Sequence, residues 1–209
     1  MATHAAENRP VGRSDEARAR ILQSAVRVLR ARGFDSTRIA DVARDAGVSS
    51  GLVIYHFQTR ELVLSAALRY AEEQFLQQIE SALDGVEGAG ARLKLFLERT
   101  FHLEDSDDLP PSWVLWPAMW EQALRSPEVR RDREELDRRL RNVIADVVRH
   151  GQAAGTFADV DPDLFARMLS AMTDGLAISV VLEDPTLPAD EAIALCLRLC
   201  DAELGPGWV

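Results

Sequence analysis

The chain has 209 residues, of which 47% are hydrophobic and 28% charged, a composition that supports a packed core and excludes a disordered polypeptide. It has no run of about 18 apolar residues and no apolar segment at its start, so we expect no membrane span, no signal peptide and a cytoplasmic location. The formal net charge of −10 at first argues against a nucleic-acid partner.

The charge is unevenly distributed along the chain, and the distribution reverses that first argument. Residues 1–60 contain ten arginines and six acidic residues, which gives +4. Residues 61–209 contain fourteen basic and twenty-eight acidic residues, which gives −14. A basic head on an acidic body would direct the head toward phosphate and keep the body away from it.

Helical periodicity runs through the chain without strand patterns or internal repeats, so we predict an all-α fold of about nine helices. Residues 1–13 are expected to form a flexible arm. A first helix over about 14–32 would have Ser14 as its cap, an apolar stripe through Ile21, Ala25 and Leu29, and Gly33 as its stop. Helices over about 39–46, 49–56 and 60–83 follow.

Clear stop signals separate the remaining helices. Ser126-Pro127 and Asp161-Pro162 are typical of a cap followed by a first helical position. An acidic stretch with prolines over 104–111 is predicted to be a loop. We predict helices over about 91–104, 113–124, 127–154, 162–182 and 189–203.

The stretch from Thr37 to Leu62 predicts a helix-turn-helix. Two short helices are joined by a tight turn, in which Gly47 allows a left-handed backbone and Val48 fills the space between the helices. A motif of this kind places its second helix in the major groove of DNA, which admits one α-helix.

Residues 17–64 resemble the DNA-binding domain of TetR-family regulators. The chain departs from the family pattern at two positions. One is Arg38, and the other is Arg60, where the family usually has lysine. The resemblance implies a helix-turn-helix DNA-binding domain over 14–60 and a helical effector-binding and dimerisation domain over 61–209. The matching positions are Gly33-Phe34, Thr37, Ile39-Ala40, Ala43, Ala46-Gly47-Val48-Ser49, Tyr55-His56-Phe57 and Leu62.

The same resemblance implies which residues contact double-stranded operator DNA. Residues at the start of the first motif helix, the Tyr55-His56 pair and Arg60 would contact phosphate, whereas those on the early turns of the second helix would face base edges. Ser49 is also expected to cap the second helix. The candidate DNA-binding residues are Thr37, Arg38, Ser49, Ser50, Gly51, Val53, Tyr55, His56 and Arg60.

The helix after the acidic loop has three tryptophans on one face. Aromatic rings beside a carboxylate suit an organic cation, while core packing and a general apolar ligand pocket remain open alternatives. The Trp-rich helix followed by Ser126-Pro127 is similar to choline-responsive, BetI-like regulators, and implies a small-molecule effector whose identity the sequence does not define. The candidate pocket residues are Phe96, Trp113, Trp116, Trp120, Glu121 and Asp174.

The last two helices mix apolar with small residues, a composition typical of subunit interfaces. The resemblance implies that they pair with those of a second copy, in a twofold homodimer that matches a palindromic operator. The candidate interface residues are Phe165, Leu169, Met172, Leu176, Ile193 and Cys196.

We therefore expect a repressor that a small molecule releases from DNA and that needs no cofactor. No catalytic triad, phosphate-cradling glycine loop or set of metal ligands is recognisable, which argues against an enzyme. Cys196 and Cys200 are interpreted as buried apolar residues. A helical enzyme and an adaptor without DNA binding are the alternatives.

Overall fold

The residues that the computed structural model describes, 11–101 and 115–208, form nine α-helices and no strand. The all-α prediction is confirmed, and each predicted helix is present. Residues 1–10, the predicted loop over 104–111 and Trp113 lie outside the described residues. The helices are α1 (Val11–Ser36), α2 (Ile39–Asp45), α3 (Ser50–Phe57), α4 (Arg60–Asp84), α5 (Ala89–Phe101), α6 (Trp116–Arg125), α7 (Pro127–Ala153), α8 (Pro162–Val181) and α9 (Ala189–Leu204).

Packing divides the chain into two units, Met1–Tyr70 and Ala71–Val209. The sequence placed the boundary after residue 60, whereas the first turns of α4 belong to the first unit. These turns bury Val63, Leu64 and Ala67, which explains why they pack with the helices before them.

Helix α1 begins earlier than the sequence predicted. It starts at Val11, so the prediction that Ser14 caps it is wrong, and residues 11–13 are helical instead of part of an arm. The predicted stop at Gly33 is confirmed, because this residue interrupts the helix with φ 74° and ψ 170°, a backbone conformation that glycine adopts without steric cost. The predicted caps at Ser126 and Asp161 are confirmed as well.

Ion pairs fasten α1 to α2 within the first unit. Nη2 of Arg27 lies 2.7 Å from Oδ2 of Asp45, and Nη1 of Arg32 lies 3.0 Å from Oδ2 of Asp41. Arg44 pairs with the other oxygen of Asp41 at 3.2 Å. Arg27, Arg32 and Arg44 of the basic head are therefore paired with acidic side chains of the same unit.

Arg60, the first residue of α4, holds the chain segment that follows Gly33. Its Nε donates a hydrogen bond to the carbonyl of Thr37 at 2.7 Å, and its Nη2 donates to the carbonyl of Phe34. The guanidinium carbon also lies 5.4 Å from the centre of the Phe34 ring. One side chain thus satisfies a carbonyl in the last turn of α1 and another between α1 and α2, and ties both to α4.

The second unit packs α5 to α9 and the last turns of α4 around one apolar core. α7 contacts α5, α6 and α8, and α9 contacts α5 and α8. After α9, the indole of Trp208 donates a hydrogen bond to Oδ1 of Asp201 at 2.6 Å and lies edge-on to Phe157. The chain therefore returns onto the core after its last helix.

Among the described residues, α8 is the one helix long and apolar enough to cross a membrane, with a mean hydropathy of 1.4. The core helix of a globular domain can have the same composition. α8 buries Phe165, Leu169 and Ala177 in the core of the second unit, so its apolar character has a structural explanation.

The bonds of Arg60 predict that its loss destabilises the first unit. We expect Arg60→Ala to lower the free energy of unfolding by roughly 1–3 kcal/mol, because two carbonyls lose a charged donor. The exposed Arg38 provides a control, and Arg38→Ala should change stability by less than about 0.5 kcal/mol. Urea unfolding measures both, and equal stability of the two variants would contradict the assigned role.

Candidate DNA-binding surface and effector site

A glycine turn joins α2 to α3. Gly47 has φ 63°, and the amide of Val48 donates to the carbonyl of Ala43 at 2.9 Å, so the chain reverses over a few residues. Oγ of Ser49 then accepts a hydrogen bond from the amide of Leu52 at 3.2 Å. The prediction that Ser49 caps α3 is confirmed.

Helix α3 has a buried face and an exposed face. Val53 and Phe57 pack inward, while Ser50, Gly51 and Tyr55 are exposed. The Tyr55 side chain is 78% exposed, which is unusual for a large aromatic residue. The exposed face therefore offers hydroxyls, open backbone and a ring to a partner molecule.

Three of the predicted DNA-contact side chains also have structural roles. Val53 is fully buried in the core beneath α3, on the face opposite its exposed residues. Thr37 is buried, and its hydroxyl donates to the carbonyl of Gly33 at 2.7 Å. Arg60 donates to the carbonyls of Phe34 and Thr37, while its Nη1 lies 3.3 Å from Oε1 of Glu61.

The other predicted contacts keep accessible side chains or backbone. Arg38, Ser49, Ser50, Gly51 and Tyr55 are exposed, and the half-buried ring of His56 lies 5.3 Å from that of Tyr55.

Two exposed side chains at α3 are not among the candidates drawn from the sequence. Ile54 on α3 is 48% exposed, and Gln58, directly after α3, is exposed and has φ 67°. Ile54 lies four residues after Ser50, which puts these two side chains on one helical face. That spacing could have identified Ile54, whereas no helical spacing applies to Gln58.

Three aromatic rings and one arginine meet in the second unit. Trp116 and Trp120 on α6 stack with ring centres 6.5 Å apart, and Phe75 of α4 meets Trp116 edge-on at 6.1 Å. The guanidinium carbon of Arg133 on α7 lies 5.3 Å from the Trp116 ring and 5.5 Å from the Trp120 ring. Both distances are within the range of a cation–π interaction.

Three carboxylates surround the same guanidinium. Nη1 of Arg133 lies 3.0 Å from Oε1 of Glu72, and Nη2 lies 2.8 Å from Oδ1 of Asp137 and 3.8 Å from Oδ2 of Asp174. Arg133 and Glu72 are buried, whereas Asp137 and Asp174 are partly exposed. We call these seven residues the Arg133 cluster: Glu72, Phe75, Trp116, Trp120, Arg133, Asp137 and Asp174.

Burial raises the pKa of Glu72 to about 7, although Arg133 opposes the shift and Asp137 and Asp174 add to it. Burial also raises the pKa of Asp174 to about 6, against the opposing charges of Arg133 and Arg141. The positive charge near these carboxylates is therefore too small to offset their desolvation. Oε2 of Glu72 is buried and has no hydrogen-bond partner among the described residues.

The predicted pocket residues separate into two groups. Trp116, Trp120 and Asp174 come together in the cluster, whereas Phe96 is buried in the apolar core and Trp113 lies outside the described residues. The carboxylate of Glu121 is half-exposed and pairs with Arg125 at 3.0 Å, so it lies outside the group of residues around Arg133.

Sequence reasoning missed the other four residues of the cluster. The spacing of Glu72 and Phe75, and of Arg133 and Asp137, places each pair on one helical face. Nothing in the sequence signals that the two pairs meet.

Four of the predicted interface residues are buried inside their own protomer: Phe165, Leu169, Ile193 and Cys196. Met172 and Leu176 are partly buried against the core. α8 is apolar on more than one stripe, so helical periodicity alone could not identify the stripe that faces inward.

A second apolar stripe on α8 faces away from the core. Leu164 is 47% exposed, and Leu182, directly after the helix, is 73% exposed. Between them, at spacings of three or four residues, Ala171 and Gly175 are exposed and Met168 is half-buried. We call these five residues the outer stripe of α8. Small residues in its middle would allow another helix to approach closely.

Cys196 and Cys200 are free and buried, as predicted. Burial raises the pKa of each thiol to about 12, which keeps both protonated and unreactive. The described residues contain no group of three His, Cys, Asp or Glu side chains placed to hold a metal ion.

Two family models match the chain, one in each unit. Residues 21–67 match the bacterial regulatory proteins of the tetR family, and residues 89–205 match the C-terminal domain of BetI-type transcriptional repressors. The first match includes the whole helix-turn-helix. The second covers more than half of the chain and includes most of the Arg133 cluster.

Curated relatives and solved structures agree with these matches over almost the full length. The regulator BetI of Pseudomonas aeruginosa is 27% identical over 93% of this chain and 96% of its own. A regulator from Saccharomonospora viridis, solved in complex with choline, is 29% identical, covers 91% of this chain and 98% of its own, and has a TM-score of 0.80. A TetR regulator from Haloarcula marismortui is 27% identical, covers 91% of this chain and 99% of its own, and has a TM-score of 0.79.

The helix-turn-helix with its exposed α3 face, the second helical unit and the matches along both units lead to one identification. The chain belongs to the TetR family of bacterial transcriptional regulators, has a BetI-type C-terminal domain, and is a DNA-binding regulator rather than an enzyme.

Proposed function

We propose that this regulator binds a palindromic operator as a homodimer in the cytoplasm, represses transcription there, and releases the DNA when a small organic cation binds at the Arg133 cluster. The proposal of a cationic effector rests on the position of the Arg133 guanidinium, which lies over two stacked indoles among three carboxylates. A site with this chemistry already stabilises one cation.

The exposed face of α3 supports insertion into a major groove. Ser50 and Gly51 lie on its first turn, Ile54 could contact thymine methyl groups, and Gln58 could contact an adenine edge. Arg38 and Tyr55 are exposed and would contact phosphates, with His56 beside them. Few of these side chains discriminate strongly between bases, so DNA shape would contribute to specificity.

The outer stripe of α8 supports a homodimer, with a second copy of the chain as its partner. An exposed apolar stripe about one helix long is costly in water, and a twofold axis lets the same stripe cover itself. Two copies related by such an axis would present two α3 helices to half-sites about 34–36 Å apart.

The charge of the Arg133 cluster favours a cationic effector. Three carboxylates face Arg133, and Arg141 acts on Asp174 alone, so the acidic groups outnumber the basic ones. Burial is the main cause of the raised pKa values of Glu72 and Asp174, the neighbouring carboxylates add to it, and another positive charge would lower both. The choline in the Saccharomonospora viridis regulator supports a quaternary ammonium as the class.

Helix α4 provides a route between effector and DNA. It begins at Arg60, which holds the segment before α2, and contains Glu72, which pairs with Arg133. An effector that changes the bonds of Glu72 would shift α4 and with it the spacing of the two α3 helices in the dimer. The effector achieves this only through different affinities for the two arrangements.

Removal of the proposed phosphate contact of Arg38 tests the proposal that the dimer binds a palindromic operator. Duplexes selected from a random pool should contain a palindrome, and Arg38→Ala should weaken binding and reduce the salt slope by about two, since a dimer loses two cations. Arg125→Ala removes an exposed arginine of α6 and should change neither. A non-palindromic consensus, or an unchanged slope in Arg38→Ala, would reject the assignment.

A charge on the outer stripe tests the dimer. Ala171→Glu should yield a folded monomer, because the introduced carboxylate would be buried between two copies. Ala153→Glu, at the exposed end of α7, should leave the dimer intact. Light scattering gives the mass and circular dichroism the helicity. A dimeric Ala171→Glu variant would show that the interface lies elsewhere.

Choline titrations at several pH values test the effector. Affinity should rise from pH 5.5 to pH 8, because Glu72, with a pKa of about 7, and Asp174, with a pKa of about 6, attract a cation only when ionised. Trp120→Ala should weaken binding by roughly 2- to 30-fold through the lost cation–π contact. Glu121→Gln, outside the cluster, should keep both the affinity and the pH profile. A flat profile with unchanged affinity in Trp120→Ala would place the effector elsewhere.

A further inference from the structure

The aromatic surface that would receive a cationic effector is already occupied by part of the protein. The guanidinium carbon of Arg133 is within 5.5 Å of both indole centres, and the side chain is 10% exposed. A quaternary ammonium needs the same faces of the same rings. The two cations cannot hold this position together.

We propose that Arg133 is a tethered competitor of the effector, which occupies the indole faces in the free protein and must leave them before an organic cation binds. This inference rests on the proposed effector site and adds the regulation of that site by the protein's own side chain.

Arg133 does not satisfy every carboxylate oxygen around it, and this makes its guanidinium displaceable by another cation. Its Nη2 is 3.8 Å from Asp174, too far for a hydrogen bond, and Oε2 of Glu72 has no hydrogen-bond partner among the described residues. The occupant thus leaves one buried polar atom of the site unsatisfied.

Asp137 offers the displaced guanidinium a new position. It lies one turn after Arg133 on α7, pairs with it at 2.8 Å, and is more exposed than Glu72. Rotation of the Arg133 side chain toward Asp137 and solvent would keep one ion pair while the indole faces become free. Glu72 and Asp174 then face the incoming cation.

Occupation of the indole faces by Arg133 weakens the apparent affinity for the effector by a measurable factor. When only a fraction of the molecules has free indole faces, the apparent dissociation constant is the intrinsic one divided by that fraction. If Arg133 occupies the rings for about 90% of the time or more, its removal raises affinity at least about tenfold.

The test compares tetramethylammonium binding to the full-length wild type, Arg133→Gln and Arg139→Gln by calorimetry. The amide introduced by Arg133→Gln would retain a hydrogen-bond donor for Glu72 but carry no charge. Arg139 also lies on α7 and pairs with Glu73 of α4 at 2.8 Å, so it is a matched control. We expect at least about tenfold tighter binding in Arg133→Gln and no change in Arg139→Gln.

Equal or weaker binding in a folded Arg133→Gln protein would overturn the competition. If the wild type nevertheless binds and Trp120→Ala weakens it, the effector site itself stands. If neither wild type nor Arg133→Gln binds tetramethylammonium, both proposals fail.

A measurement on the wild type keeps the proposal falsifiable if Arg133→Gln does not fold. The Nε–H signal of Arg133 in NMR spectra, assigned with Arg133→Lys, should carry a ring-current shift from the two indoles. Tetramethylammonium should abolish this shift as the guanidinium leaves. A signal that keeps its shift at saturating tetramethylammonium would overturn the proposal.

Discussion

The guanidinium of Arg133 connects four helices of the second unit through one buried charge. It pairs with Glu72 of α4 and Asp174 of α8, lies over two rings of α6, and is itself on α7. A buried charge of this kind is costly unless its partners are well placed, and loss of a partner leaves an uncompensated charge. The mutual position of these four helices is therefore sensitive to whatever cation lies at their centre.

In the first unit, the main constraint is that the short helix α3 must provide both a buried face and an exposed face. α3 has eight residues, of which Val53 and Phe57 are needed for the core. The remaining positions form one exposed surface that the turn at Gly47 and the cap at Ser49 hold in place. Thr37 and Arg60 stabilise this scaffold through hydrogen bonds to backbone carbonyls. A polar residue within a DNA-binding motif can therefore have a structural role.

Much of this structure follows from local sequence rules. Helix ends at Gly33, Ser126 and Asp161 could be predicted because caps and stops depend on neighbouring residues. The Arg133 cluster could not, since Glu72 and Arg133 are 61 residues apart and periodicity gives no information on which helix faces meet. Periodicity has a related limit on α8: this helix is apolar on two sides, and the sequence does not indicate that Phe165 and Leu169 lie on the side that packs in the core.

Coupling between a cation at the Arg133 cluster and DNA at α3 can be tested directly through linkage. Calorimetry would compare choline binding to the free regulator and to the regulator saturated with its selected operator. We predict weaker choline binding in the operator complex, by the same factor, typically about 5- to 150-fold, by which choline weakens operator binding. Equal choline affinity in the two states would contradict the coupling, because an effector without preference cannot shift the equilibrium.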